Sequence, residues 1–182
     1  MNNMMKDIEE VLFSQEEIRN KVKELGEKIT KDYKDVDQLL VICVLKGAVS
    51  FLSDLIQEIQ LPLVIDFMDV SSYGSGVTST GEVRILKDLD SSVEGRHILI
   101  VEDIIDTGIT LNYLRKLLLG RGAASVDVVT LLTKPARRQK GVEVKYIGYE
   151  IDDLFVVGYG LDYNEKYRNL PFIGYLKKEV YS

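Results

Sequence analysis

Apolar positions along this chain follow two rhythms, and the switches between them outline the fold. Ile18, Val22, Leu25 and Ile29 recur at helical intervals among Glu, Lys, Arg and Asn, which places them on one stripe of an otherwise charged cylinder. Just ahead of them, Ser14-Gln15-Glu16-Glu17 has the spacing of a capping box, in which the hydroxyl takes an orphan amide and the later carboxylate reaches back. A helix starting after Ser14 is predicted. Leu39-Leu40-Val41-Ile42-Cys43-Val44-Leu45 contains no charged position, the mark of a strand covered on both faces, as in parallel sheets flanked by helices. After a break at Lys46-Gly47, helical spacing returns with Val49, Phe51, Leu52, Leu55, Ile56 and Ile59; Pro62 closes the connection and Leu63 to Val70 predicts the next strand.

Between Ser71 and Gly81 hydroxyl side chains and glycines replace apolar anchors, which predicts a mobile surface loop. Val83 to Leu89 resumes a strand, so residues 63 to 89 read as a long hairpin with a free tip. His97-Ile98-Leu99-Ile100-Val101 is a core strand, Leu111, Leu114, Leu117 and Leu118 mark a helix ending near Gly120, and Ser125 to Leu132 is another buried strand. Weaker strands are predicted at Val142 to Tyr146 and Phe155 to Gly158. Buried strands alternating with helices predict an α/β fold around a mostly parallel central sheet. There is no repeat and no linker, and 182 residues suit one domain.

Composition narrows the function. With 46% hydrophobic and 29% charged residues the chain can bury a sizeable core and reads as a soluble globular protein. A formal net charge of -6 and a pI near 4.9 argue against a nucleic-acid partner held over a broad basic face. An anionic ligand must instead be held locally, by backbone amides, a few placed cations or a metal ion. The single cysteine, Cys43, excludes an internal disulfide and a Cys-based zinc site and reads as a buried small hydrophobe. The single histidine, His97, opens an apolar run and reads as structural. No run approaches the ~20 apolar residues of a membrane span, and Met1 to Glu10 lacks the apolar stretch of a signal peptide, so no membrane partner and a cytoplasmic location are expected.

Chemistry concentrates in Ile98-Leu99-Ile100-Val101-Glu102-Asp103-Ile104-Ile105-Asp106-Thr107-Gly108-Ile109-Thr110-Leu111. A core strand runs into two adjacent acids, a third follows three residues later, and a small-residue turn opens a helix. In open α/β sheets ligands gather outside the carboxyl ends of strands. The amides of Thr107 to Thr110, with two hydroxyls, can cradle a phosphate at that helix N-terminus. The neighbouring acids would repel the phosphate, so they make sense facing sugar hydroxyls or a divalent cation. The bland alternative is an Asp that merely caps a helix. Receiver domains and Asp-nucleophile phosphatases also carry acids at strand ends, but the Glu-Asp-x-x-Asp-Thr-Gly-x-Thr spacing fits neither.

That spacing resembles the signature of the type I phosphoribosyltransferases, and the surrounding sequence is similar to their hypoxanthine-guanine branch. The likeness also rests on Val44-Leu45-Lys46-Gly47, on Ser71-Ser72-Tyr73-Gly74, and on Leu131-Leu132-Thr133-Lys134-Pro135 with Arg137-Arg138. Phe155-Val156-Val157-Gly158-Tyr159-Gly160-Leu161-Asp162-Tyr163 completes it, so the resemblance runs roughly from Ile8 to Leu176. It implies transfer of a phosphoribosyl group from 5-phosphoribosyl 1-pyrophosphate to a 6-oxopurine, hypoxanthine or guanine, giving IMP or GMP and pyrophosphate in purine salvage. It implies that Glu102 and Asp103 bind the ribose hydroxyls, directly or through a magnesium-bound water, and that Asp106, Thr107, Gly108, Ile109 and Thr110 form the phosphate loop. Asp106 is the implied general base for the purine N7 proton, or else an orienter of it. Lys46-Gly47 and Arg168 are implied to contact pyrophosphate, Lys46-Gly47 through an unusual backbone such as a non-proline cis peptide.

By the same resemblance, Lys134 donates to the purine 6-oxygen, Phe155 stacks on the ring and Val156 reads its edge through the backbone. Ser72 and Tyr73 belong to a lid, and Asp162 joins Glu102 and Asp103 as a metal-associated carboxylate for Mg2+. A small hood from about residues 1–13 and 150–182, within a single domain over 1–182, and a homodimer or homotetramer are also implied. Two alternatives stay open: a regulatory phosphoribosyltransferase-like protein that binds RNA or DNA, and a sister enzyme preferring xanthine or guanine.

Overall fold

The computed structural model describes residues 4–72, 83–139, 141 and 143–181. A one-turn helix at Met4–Asp7 leads into strand β1 (Ile8–Phe13) and helix α1 (Gln15–Asp32). The capping box is formed: the Glu17 amide donates to Ser14 Oγ at 3.3 Å and the Ser14 amide donates to Glu17 Oε2 at 2.8 Å. Ile18, Val22, Leu25 and Ile29 are all buried, as their stripe predicts. Strand β2 (Leu39–Leu45), helix α2 (Val49–Glu58) and strands β3 (Leu63–Ser72) and β4 (Val83–Lys87) follow. Then come β5 (His97–Ile105), α3 (Ile109–Gly120), β6 (Ser125–Thr133), β7 (Tyr146–Glu150), β8 (Val156–Val157), β9 (Ile173–Leu176) and α4 (Lys178–Tyr181).

Six strands form the main sheet in the order β4-β3-β2-β5-β6-β7, parallel except for β4, which pairs antiparallel with β3. Alternate residues of the buried strands feed two separate cores. Leu39, Val41, Cys43, Leu99 and Val101 pack with α1 and α2 on one face, while Leu40, Ile42, Val44, Ile98 and Ile100 pack with Leu111, Leu114 and Leu118 of α3 on the other. Both faces are therefore dry, which is why β2 carries no polar alternation. Helices α1 and α2 touch at Gly26, where a Cβ would run into Glu58. Chain ends build a second sheet, β1-β9-β8, over a small cluster of Ile8, Val157, Tyr167, Leu170 and Leu176.

Three elements depart from expectation. Of the edge strand predicted at Val142 to Tyr146, Val142 lies outside the described residues, residues 143–145 are not strand, and the strand runs from Tyr146 to Glu150. Apolar alternation suggested the earlier span, but pairing with the C-terminal half of β6 sets the register, and tyrosines anchor it: Tyr146 Oη donates to Asp32 at 2.8 Å and Tyr149 Oη to the Glu17 carbonyl at 2.9 Å. The core strand expected to end at Val101 continues through both acids, because Glu102, Ile104 and Ile105 still pair with β6. The cis peptide is Leu45-Lys46, one bond before the Lys46-Gly47 link. The tip of the β3–β4 hairpin lies outside the described residues.

Candidate active site

Connectivity locates the crevice. From β2 the chain moves outward through β3 and β4, and from β5 it moves the other way through β6 and β7, so the strand order reverses between β2 and β5. In such sheets the loops on either side of the reversal part and leave a cleft at the carboxyl ends. The cleft, about 190 Å³, is lined by Val44, Val70, Glu102, Asp106, Thr107 and Thr110 among others. A larger groove of about 800 Å³ lies between α1, α2 and residues 159–171 and shares only Arg168 with the predicted site; its lining lacks the convergent acids and amides, so the chemistry assigns the smaller cleft.

Helix α3 begins as a phosphate cradle requires. Gly108 sits at φ 78°, in the left-handed region, which turns the chain sharply from strand to helix. The Asn112 amide is the first to reach a helical carbonyl, that of Gly108 at 3.0 Å, so amides ahead of it point outward from the N-terminus. Ile109 N donates weakly to Thr107 Oγ1 at 3.4 Å.

The acids beside this cradle are held at a cost. Burial pushes Glu102 well above the usual carboxylate range, and the neighbouring Asp103 adds to the rise. Asp103 keeps some solvent exposure but is enclosed by protein, and burial raises it to about 6 in spite of the Ile104 amide donating at 2.6 Å and the positive charge of Arg168. Gly47 lies against it: a Cβ there would fall on Asp103 Oδ2, and a Cβ on Gly160, itself at φ 98°, would fall on the Gly47 carbonyl. Two glycines thus let the β2 loop and the 158–162 turn stack directly on the acid.

Arg168 reaches the same stack. Its Nη1 donates to the Gly160 carbonyl at 2.8 Å, Nη2 lies 3.0 Å from Asp162 Oδ1, and buried Nε has no partner among the described residues. Glu165 lies 3.3 Å from both Arg168 Nη2 and Lys46 Nζ, so the two predicted pyrophosphate cations share one exposed carboxylate. Lys134 follows β6, its side chain nearly buried and its backbone amide donating to the Ile105 carbonyl at 3.0 Å. Asp106 is half exposed and lies 2.8 Å from Arg137 Nε. Phe155 stands at the junction with the small sheet, edge-on to Tyr163 and stacked on Tyr181 at 5.0 Å, and Val156 pairs with Tyr175 in β8–β9.

Glu102, Asp106, Thr107, Gly108 and Thr110 thus share the cleft, Ile109 opens α3 beside them, and Asp103, next to Glu102, lies against Gly47 with Asp162 and Arg168 nearby. Ser72 ends β3 opposite Val83, and Tyr73 lies outside the described residues. Glu102, Asp103 and Asp162 do not make a closed cage: among the described residues no three His, Cys, Asp or Glu side chains converge as metal ligands. Cys43 and His97 play no part, the buried thiol being pushed up to about 12 and the imidazole Nδ1 lying 2.8 Å from Ser125 Oγ. Among the described residues no helix is long and apolar enough to cross a membrane. Arg137, Asp153 and Glu165 went unassigned in the sequence, because charged surface residues carry no periodicity and only the folded loops bring them to the acids.

Residues 12–164 match the family model described as a phosphoribosyl transferase domain. The chain is 59% identical over 179 residues to the hypoxanthine-guanine phosphoribosyltransferase of Bacillus subtilis, covering 98% of this chain and 99% of that one. It superposes on a crystal structure of a hypoxanthine phosphoribosyltransferase from Staphylococcus aureus with a TM-score of 0.95 at 55% identity, over 98% and 97% of the two chains. A variant of hypoxanthine phosphoribosyltransferase from Trypanosoma cruzi, in a ternary substrates complex, matches with a TM-score of 0.92 at 43% identity, over 97% and 100%.

Proposed function

The chain belongs to the phosphoribosyltransferase family, and from that premise we propose that it is a purine-salvage enzyme, moving the phosphoribosyl group of 5-phosphoribosyl 1-pyrophosphate onto N9 of hypoxanthine or guanine. The observation that carries the reading is the cleft itself, a buried Glu102 followed by Asp103, beside an outward-pointing helix N-terminus at the reversal of strand order. The α3 amides and the Thr107 and Thr110 hydroxyls bind the 5-phosphate. Glu102 and Asp103, acceptors only when ionised, take the two ribose hydroxyls as donors. Lys46, the Gly47 backbone and Arg168 hold the pyrophosphate, displacing Glu165 from the two cations.

Asp106 faces the purine N–H and accepts or orients its proton as N9 attacks C1. Phe155 stacks on the ring and the Val156 backbone meets its edge. Lys134 offers a donor to the 6-oxygen; adenine presents an amino group there, and an unpaired buried donor can reject such a substrate by about 10⁴ to 10⁵ fold. Water must be kept from the oxocarbenium-like centre, a task we assign to the β3–β4 hairpin with Ser72 and Tyr73. The small sheet of chain ends serves as the hood over the base.

The residues fit Mg2+. Glu102, Asp103 and Asp162 are hard oxygen donors, the first two raised in pKa by burial, and Mg2+ is usually held by one or two carboxylates with substrate oxygens and water rather than by a protein cage. When bound, the ion neutralises the leaving pyrophosphate. A homodimer or homotetramer is the expected assembly.

A purine panel tests the reading. Hypoxanthine and guanine with 5-phosphoribosyl 1-pyrophosphate and magnesium should give IMP and GMP, adenine should give no product, and chelation should stop the reaction. Equal use of adenine, or no nucleotide from either oxopurine, would overturn it.

A further inference from the structure

The two groups assigned to the purine's polar edge, Asp106 and Lys134, stand on loops after different strands, so something must fix their separation. A chain of charges does so. Arg137 Nε lies 2.8 Å from Asp106 Oδ1, Arg137 Nη1 lies 3.3 Å from Asp153 Oδ1, and Lys134 Nζ lies 3.6 Å from that same Asp153 oxygen. Nε approaches Asp106 off its N–H direction, so Oδ1 lies against the guanidinium yet accepts no hydrogen bond among the described residues. The Asp106 side chain is nonetheless 43% exposed, which leaves its other oxygen as the one open to the cleft.

Backbone bonds reinforce the arrangement on both sides of Asp106. The Lys134 amide donates to the Ile105 carbonyl and the Gln139 amide to the Thr107 carbonyl, each at 3.0 Å, and between them the turn Pro135–Arg137 presents Arg137. Asp153 is the carboxylate that faces the nearly buried Lys134 ammonium. The two pairs that Arg137 makes, with side chains 43–49% exposed, contribute little to stability. Their consequence here is geometric.

We propose that Arg137 and Asp153 are a positioning pair that sets the distance between Asp106 and Lys134, holding one Asp106 oxygen so that the other meets the purine N–H while the ammonium meets the 6-oxygen. The inference rests on the roles given above to Asp106 and Lys134. In this proposal Arg137 and Asp153 act through Asp106 and Lys134 and not on the substrate itself.

Steady-state kinetics of Arg137→Ala, Asp153→Ala, the double variant and Arg137→Lys test it. Each alanine variant should raise KM for hypoxanthine about three- to tenfold, with KM for 5-phosphoribosyl 1-pyrophosphate unchanged; the melting temperature should hold in Arg137→Ala, whose pairs are half exposed, and fall in Asp153→Ala, which leaves nearly buried Lys134 without its carboxylate. The double variant should match the worse single, since the chain is broken only once, and Arg137→Lys should recover most of the loss. Unchanged hypoxanthine KM in both singles, additive effects, or equal damage to both substrates with a lowered melting temperature in Arg137→Ala would each overturn the pair. Asp106→Asn and Lys134→Met run alongside separate the two levels. If they lose purine turnover while the positioning variants behave as wild type, only this inference fails; if they too behave as wild type, the underlying roles fail.

Discussion

Carboxylates on α1 and carboxylates at the end of β5 are the same chemical group in opposite circumstances. Glu24 lies on an exposed helix face with Lys21 Nζ at 2.7 Å and Lys28 Nζ at 2.6 Å, and hydrogen bonds from Lys21 first and Lys28 second hold it down to about 2. Among the described residues neither Glu102 nor Asp103 has a lysine so placed; burial drives Glu102 well above its ordinary range and Asp103 to about 6. On the helix, charge is satisfied wherever the surface allows. At the end of β5 burial outweighs the Ile104 amide and the charge of Arg168, and acids perturbed in this way cluster at functional sites.

The largest expected effect falls on the third acid of the cleft. Asp106→Asn should lower turnover with hypoxanthine by about 10² to 10⁴ fold, the usual weight of a positioned proton acceptor. Thermal unfolding should barely move, because the ion pair that this change breaks, to Arg137, is nearly half exposed at both ends. Wild-type turnover in this variant would remove the proton-transfer role and reduce Asp106 to the level of Glu24.

Next comes a change of sign. An Asp raised from 3.8 to about 6 binds its proton more tightly folded than unfolded, so the ionised form costs stability. The cost is absent below about pH 3.8, grows through the window up to about 6 and is complete above it. Asp103→Asn should therefore stabilise the protein at neutral pH, by at most about 3 kcal/mol for a shift of this size, and the gain should vanish in acid. Asparagine still accepts from the Ile104 amide, so that bond does not confound the result. Denaturant unfolding from pH 4 to pH 8 without divalent cations, paired with an activity assay, checks both halves; a destabilised variant at neutral pH would mean that the acid is satisfied after all.

How much of this contrast could be read beforehand depends on range along the chain. The helix stripe, its capping box and the all-apolar β2 are local patterns, and α1 and β2 formed where they were expected. The acid pair and the cradle were legible for the same reason, being contiguous from Glu102 to Thr110. Strands β1 and β9 were not, since Ile8 and Leu176 pair across nearly the whole chain and neither segment carries strong alternation. The edge strand β7 was misplaced because tyrosine anchors and the register on β6 outweighed a Val-rich alternation. Asp153 and Arg137 were missed as site residues because their relation to Asp106 exists only after three loops have met.

The smallest effect belongs back on α1, and its smallness is the point. Glu24→Gln removes a carboxylate whose lowered pKa marks a stabilising charge, present above the ordinary value of 4.5 and lost as pH falls toward about 2. Taken at face value that depression would amount to a large contribution. Its side chain is 45% exposed, however, and both lysines remain free to find water, so solvent screening should leave no more than about 0.5 kcal/mol. Added salt should shrink even that, since exposed pairs are screened over a Debye length of about 10 Å at 0.1 M. Thermal melting of Glu24→Gln in low and high salt measures both. A loss of several kcal/mol would mean that surface charge on α1 is as consequential as charge in the cleft, and the contrast between the two regions would collapse.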